Sequence, residues 1–160
     1  MHLRAARAED IDALMAWFPD EASVRNWGGP FFDYPFDRES FHHDCKWQDM
    51  ATYCLESHGT VQGFGQMYER YGRVNLARLV VNPSARGCGL GQLLVNALID
   101  ESRGVLGLDE AGLFVYRSNE SAYFCYRAAG FEPAPMPDDV DLGEESRYLV
   151  RAIRPATVVS

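Results

Sequence analysis

Apolar residues run continuously in some stretches of this chain and recur at helical spacing in others, and the order of the two patterns predicts the elements. His2 to Ala6 reads as a first strand. Ile11, Leu14, Met15 and Phe18 then form a helical stripe closed by Pro19. A second short helix covers Asp20 to Trp27 and is broken by Gly28-Gly29-Pro30, after which the chain to Pro35 is an aromatic loop. Asp37 suits the cap of a helix reaching about Lys46. Three strands follow as an antiparallel meander: Thr52 to Ser57, Val61 to Arg70 and Arg73 to Val81, with turns at His58-Gly59 and Tyr71-Gly72. The last runs through the apolar stretch Leu76 to Val81 and stops at Asn82-Pro83. A helix over 90–103 carries Leu90, Leu93, Leu94, Ala97 and Leu98 on one face. A strand at 111–116, a helix at 120–129, a strand around Phe131 and a final strand from Ser146 to Ile153 complete the order. Pro133 to Gly143 is an acidic, proline-rich loop, and the tail after Pro155 is loose. This succession predicts an α/β fold with a mixed sheet.

Composition narrows the class without naming a function. At 160 residues with 47% hydrophobic and 24% charged positions, the chain suits one domain over 1–160 with a sizeable core. No apolar run approaches the roughly 20 residues of a membrane span, and the N-terminus lacks the apolar centre of a signal peptide. Cys45, Cys54, Cys88 and Cys125 are scattered, as reduced thiols in a cytoplasm would be. A net charge of −8 argues against nucleic-acid binding. Its plainest role is solubility, with steering of a cationic amine as the functional alternative.

The stretch Arg86-Gly87-Cys88-Gly89-Leu90-Gly91 carries the chemistry. A glycine-rich turn between a strand and a helix is an anion site: backbone N–H groups face outward, the helix dipole adds positive potential, and absent side chains admit a phosphate. Arg86 adds a bidentate cation. A dinucleotide fingerprint would require glycine at position 94 or 92, where Leu94 and Gln92 stand. A Walker loop would require a lysine that the turn lacks. The pattern that fits is Arg-x-x-Gly-x-Gly after a strand ending Val-x-Pro.

That pattern resembles the acyl-coenzyme A loop of the GNAT superfamily of N-acetyltransferases. A second segment carries the same resemblance independently: a strand, then Asn119, Ala122, Tyr126, Gly130 and Phe131 in the family's Asn-x-x-Ala-x-x-x-Tyr and Gly-Phe spacing. The resemblance implies a largely antiparallel sheet of about seven strands flanked by helices, splayed where the cofactor enters. It implies acetyl-CoA as co-substrate. Its pyrophosphate would lie on the backbone of Arg86, Gly87, Cys88, Gly89 and Gly91, and its pantetheine arm on the strand edge at Leu79 and Val81. It makes Tyr126 the general acid that protonates the leaving thiolate, with Tyr123 as the backup. Asn119 suits a helix cap on its own chemistry; the resemblance adds a pantetheine contact. Homodimers are frequent in the superfamily, although no interface is legible here. The expected acceptor is a primary amine on a small or amino-acid-like molecule, conceivably an aminoglycoside. Protein lysine or N-terminal acetylation and non-catalytic acyl-CoA sensing are the alternatives. Two departures matter. Asn75 and Arg78 stand where some members carry a glutamate base, and Phe114 stands where N-terminal acetylases carry one. No base is named, and Glu69 and Glu56 are weak candidates.

Three other groupings draw attention. His42, His43 and Cys45 supply too few ligands for a metal site and read as ordinary helix residues. Trp27, Phe31, Phe32, Tyr34 and Phe36, beside Asp33 and Asp37, have two open readings: a cation-holding acceptor wall, or a lid packed on the sheet. Cys88 has no histidine near it in sequence and reads as a bystander in the loop.

Overall fold

The computed structural model describes residues 1–29, 32–87, 89–138 and 145–153. Seven strands form one sheet: β1 (His2–Ala5), β2 (Ala51–Ser57), β3 (Thr60–Arg70), β4 (Arg73–Val81), β5 (Glu110–Tyr116), β6 (Glu132–Ala134) and β7 (Ser146–Ala152), in the order β1-β2-β3-β4-β5-β7-β6. Five helices accompany them: α1 (Asp10–Met15), α2 (Glu21–Gly28), α3 (Arg38–Asp44), α4 (Leu90–Val105) and α5 (Glu120–Ala128). The meander closes through two-residue turns in which both central residues have positive φ: His58 and Gly59 at 51° and 77°, Tyr71 and Gly72 at 57° and 70°. Such turns match the right-handed twist of the strands they join.

Every strand pair is antiparallel except β4 with β5, which is parallel and makes only two register pairs, Val74 with Ala111 and Asn75 with Gly112. Beyond Asn75 the strands part, and the β5-facing edge of β4 has no ladder partner among the described residues. The splay expected from the resemblance lies here. A β-bulge adds to it. Phe64 pairs with Val80 and Gln66 with Ala77, so two β4 residues oppose Gly65, and Arg78 takes φ 52°.

Two hydrophobic clusters cover opposite faces of the sheet. On one, Leu90, Leu94, Val95, Leu98 and Ile99 of α4 meet Leu55, Met67, Leu76, Leu113 and Leu149. On the other, Ile11, Leu14, Val24 and Phe41 of the first three helices meet Cys54, Phe64 and Val80. A Cβ on Gly65 would lie 2.7 Å from a Leu98 methyl carbon, so this glycine lets α4 approach β3.

The expected elements are present, with shifted ends. The α1 stripe stops as a helix at Met15, and Phe18 reaches the core through two turn-like bonds, Trp17 N–H to Leu14 O and Phe18 N–H to Met15 O. The α3 helix ends at Asp44, ahead of Lys46 at φ 51°. The expected α4 face needs correction. Leu93 is 44% exposed, and the buried stripe runs through Leu90, Leu94, Val95, Leu98, Ile99 and Ser102. The β-branched pair Val95 and Ile99 belongs to the core cluster shared with the strands.

One ion-pair network ties the amino terminus to the sheet. Arg4 donates to both carboxylate oxygens of Asp10, at 2.8 and 2.9 Å, and also to Glu56. Asp10 further accepts the Arg7 backbone N–H at 2.7 Å. Burial pushes the Asp10 carboxyl up, but the bonds from Arg4 and Arg7 outweigh it and hold it below its ordinary value. A depressed carboxylate adds stability above its unfolded value of about 3.9 and loses it as pH falls through the folded value. Asp10→Asn should therefore lower the unfolding free energy at pH 7 by about 1.5–3 kcal/mol. In urea titrations the gap to wild type should narrow as pH falls below about 4; a gap constant with pH would remove the carboxylate from the account.

Candidate functional site

The glycine turn is built to leave donors free. Asn82 anchors it, its N–H donating to Gln62 O at 2.8 Å while its side chain accepts from Ser84 N–H at 3.1 Å. Gly87 and Gly89 then adopt φ 84° and 75°, conformations that side chains resist. Next comes α4, and its N-terminus differs from its neighbours'. Asp20 caps α2 and Asp37 caps α3, each in a reciprocal box, and Asn119 caps α5. On α4, Gly89 stands at the cap with no side-chain acceptor, and the first N–H bonded within the helix is that of Leu93, to Gly89 O at 3.2 Å. The N–H groups of Leu90, Gly91 and Gln92 have no acceptor among the described residues and face outward for another one.

These residues open onto a cleft of about 610 Å³. Its walls are Arg86, Gly87, Gly89 and Gly91 on one side, the unpaired edge of β4 at Leu79, Val80 and Val81 below, and Asn119, Ala122, Cys125 and Tyr126 of α5 opposite. Arg86 is exposed and forms no ion pair with any described residue. A Cβ on Gly91 would lie 2.7 Å from Cys125 Sγ, so that glycine sets the spacing of α4 and α5. Cys88 lies outside the described residues.

A second cavity, of about 250 Å³, opens on the other side of the splay. It is lined from α2 by Asn26, Trp27, Gly28 and Gly29, from β3 by Tyr68 and Arg70, from β4 by Asn75 to Leu79, and from β5 by Leu113 to Tyr116. Asn26, Leu79, Asn119 and Tyr126 border both spaces. Tyr126 therefore stands at the junction, where a group held in the cleft would meet one held in the cavity. Burial, with a small addition from Cys125, pushes its phenol well above the ordinary tyrosine value. It stays protonated throughout the neutral range. Tyr123 borders neither space; its ring lies under the Arg147 guanidinium at 4.2 Å.

The structure gathers Leu79, Val81, Arg86, Gly87, Gly89, Gly91, Asn119 and Tyr126 around one cleft. Asn119 caps α5 as expected, accepting Ala122 N–H at 3.3 Å. Asn26 and Arg70 had no local signal, because α2 and the end of β3 meet at the second cavity only through the tertiary fold. Arg78 was legible only as the residue in place of a glutamate.

The acidic-wall reading of the aromatic segment does not hold. Asp37 is spent on capping α3, the backbone N–H of Asp33 donates to Asp44, and neither aspartate borders the cavity. Trp27 does border it, but its ring also packs on Phe18 at 4.5 Å, Phe32 at 5.2 Å and Phe41 at 5.7 Å. Trp27→Ala should lower the unfolding free energy by about 3 kcal/mol in urea titrations. A loss below about 1 kcal/mol would mean that the ring is a wall only. Phe31 lies outside the described residues. Glu69 is exposed, Glu56 is bound to Arg4, and no described carboxylate borders either space. His42 stacks on Trp47 at 5.4 Å, while Cys45 is buried, its thiol pushed up to about 12 by that burial. No described helix is long and apolar enough to cross a membrane.

An uncapped helix N-terminus, a parted pair of parallel strands and a tyrosine between two spaces thus meet in one cleft. Residues 21–131, more than half of the chain, match the acetyltransferase (GNAT) family, and the chain belongs to that family. Solved structures share the fold. The aminoglycoside acetyltransferase AAC(6')-Ib in complex with coenzyme A is 24% identical, with a TM-score of 0.72 over 94% of each chain. A variant of the spermidine N-acetyltransferase SpeG from Vibrio cholerae is 18% identical, with a TM-score of 0.68 over 95% of each chain. The ribosomal-protein-S18-alanine N-acetyltransferase from Escherichia coli is 18% identical, with a TM-score of 0.64 over 99% of this chain and 97% of that one.

Proposed function

We propose that this chain is one N-acetyltransferase domain, a cytoplasmic enzyme that transfers acetyl directly from acetyl-CoA to the primary amine of a small molecule. The observation that carries the proposal is the cleft itself. It joins N–H groups and a strand edge that have no partner among the described residues to Arg86, and ends at a protonated tyrosine. Those groups fit acetyl-CoA from end to end: fixed donors and a cation for a pyrophosphate, main-chain groups for the amides of an extended arm, and a proton for a thiolate.

The residues then have distinct tasks. Leu90, Gly91 and Gln92 N–H groups, with Arg86, hold the pyrophosphate; Leu79 and Val81 align the arm, with Asn119 beside it. A β4 N–H near Val81 polarises the thioester carbonyl as negative charge develops on its oxygen. The neutral amine attacks the carbonyl carbon, the C–N bond forms, and the C–S bond breaks. Tyr126 gives its proton to the sulfur and regains one from solvent, which also takes the proton shed by the amine nitrogen. The position of Tyr126 between two spaces favours an enzyme over a sensor. The test is thiol release from acetyl-CoA across a panel of amines and an amine-terminated peptide. Amine-dependent release with small amines supports the proposal. Release with the peptide alone would shift it to a protein acceptor, and saturable acetyl-CoA binding without any release would make the chain a sensor.

A further inference from the structure

The acceptor cavity has cationic walls. Arg70 and Arg78 border it, and no described carboxylate does. Neither guanidinium has a carboxylate within ion-pair distance among the described residues. Arg70 instead lies over the rings of Tyr71 at 5.0 Å and Phe114 at 5.2 Å, and its Nη1 reaches Tyr68 Oη at 3.5 Å. Tyr68 lines the same cavity as both arginines.

Arg78 is held with unusual care for a residue without a counter-ion. The bulge and its φ of 52° place it, and its Nη1 donates to Gln66 Oε1 at 3.0 Å. Gln66 is fully buried and cannot turn its amide over. Its Nε2 is committed to Cys45 O at 2.9 Å and to Thr52 Oγ1 at 3.1 Å, so only its oxygen faces Arg78. The Phe32 ring lies 5.6 Å from the guanidinium carbon. Arg78 Nε is buried with no hydrogen-bond partner among the described residues. Asp44, the acid whose charge it feels, lies beyond ion-pair distance and accepts the Asp33 N–H instead. A desolvated guanidinium with an unused donor is costly unless a ligand supplies the anion.

We infer, on the acetyltransferase reading above, that the acceptor is an amine that itself bears an anionic group, most simply a carboxylate, which Arg78 and Arg70 bind. The same walls would repel polycations. The chain's charge of −8 acts against an anion at long range, but screening over about 8 Å leaves the local pair dominant inside the cavity.

The arginines also bear on deprotonation. A substrate ammonium here would face Tyr68 and Arg70 from β3, Arg78 from β4, Tyr116 from β5 and Tyr126 from α5, with no charged residue lining from α2. Two fixed positive charges, with no described carboxylate lining the cavity, disfavour the ammonium and lower its pKa. The amine can then reach its reactive neutral form through water, which accounts for a cavity without a carboxylate base.

The test is a panel of matched amines: α- and ω-amino acids, their carboxamides and decarboxylated counterparts, and spermidine, assayed by thiol release with acetyl-CoA titrated on the same samples. Acids should exceed their amides by at least about 10-fold in kcat/KM, a difference of 1.4 kcal/mol. Arg78→Gln should erase that preference through the acceptor KM, leave the acetyl-CoA affinity unchanged, and move the acidic limb of the pH profile upward. Arg78→Lys should restore part of it, and Arg70→Glu should turn preference toward spermidine. If no acid exceeds its amide, whether both react or neither does, or if spermidine leads in wild type, the inference is overturned. Failure of acetyl-CoA to bind would instead remove the acetyltransferase reading on which it rests.

Discussion

Replacing Tyr126 by phenylalanine should lower turnover by about 10²-fold or more while leaving acetyl-CoA affinity within about twofold. The ring's packing, 6.3 Å from Phe131, survives the substitution, and only the hydroxyl is lost. Because the proton is given up only as the C–S bond breaks, the loss should fall on kcat and not on the acetyl-CoA dissociation constant. The pH profile offers a second check. Burial raises the phenol above the ordinary tyrosine value, so the protonated donor persists and no basic limb below about pH 10 should belong to it. Full activity in Tyr126→Phe would remove the hydroxyl from the chemistry and leave Tyr126 as a packing residue.

Arg86→Glu should weaken acetyl-CoA binding by about 100-fold or more, since it removes a charge-assisted bond and sets a carboxylate against a pyrophosphate. Arg86 is exposed and makes no ion pair with a described residue. The unfolding free energy should therefore stay within about 0.5 kcal/mol of wild type. Wild-type affinity should fall with added salt, and the variant's should fall less. Unchanged affinity in a folded variant would move the phosphate site off this loop.

The frame of the molecule was legible because local chemistry fixed it. The two glycine turns marked the ends of the meander strands, Asp37 announced a cap, and the two motifs placed one loop and one tyrosine in register. What stayed hidden is set by tertiary geometry. Which face of α4 is buried, with Leu93 left exposed, is decided by its packing on the sheet. The acceptor cavity takes residues from α2, β3, β4 and β5, and its cationic character appears only when Arg70 and Arg78 are brought to one space. The bulge that turns Arg78 inward has no glycine or proline of its own strand to mark it. The aspartates of the aromatic segment looked like a cation site in sequence, yet Asp37 caps α3 and neither Asp33 nor Asp37 borders the cavity.

The central claim is that the cleft between β4 and β5 binds acetyl-CoA, and calorimetric titration of acetyl-CoA into the protein, with NAD and ATP as controls, tests it most directly. The account predicts saturable binding of acetyl-CoA at one site per chain, with both controls much weaker. Absence of acetyl-CoA binding, or equal binding of all three, would contradict it.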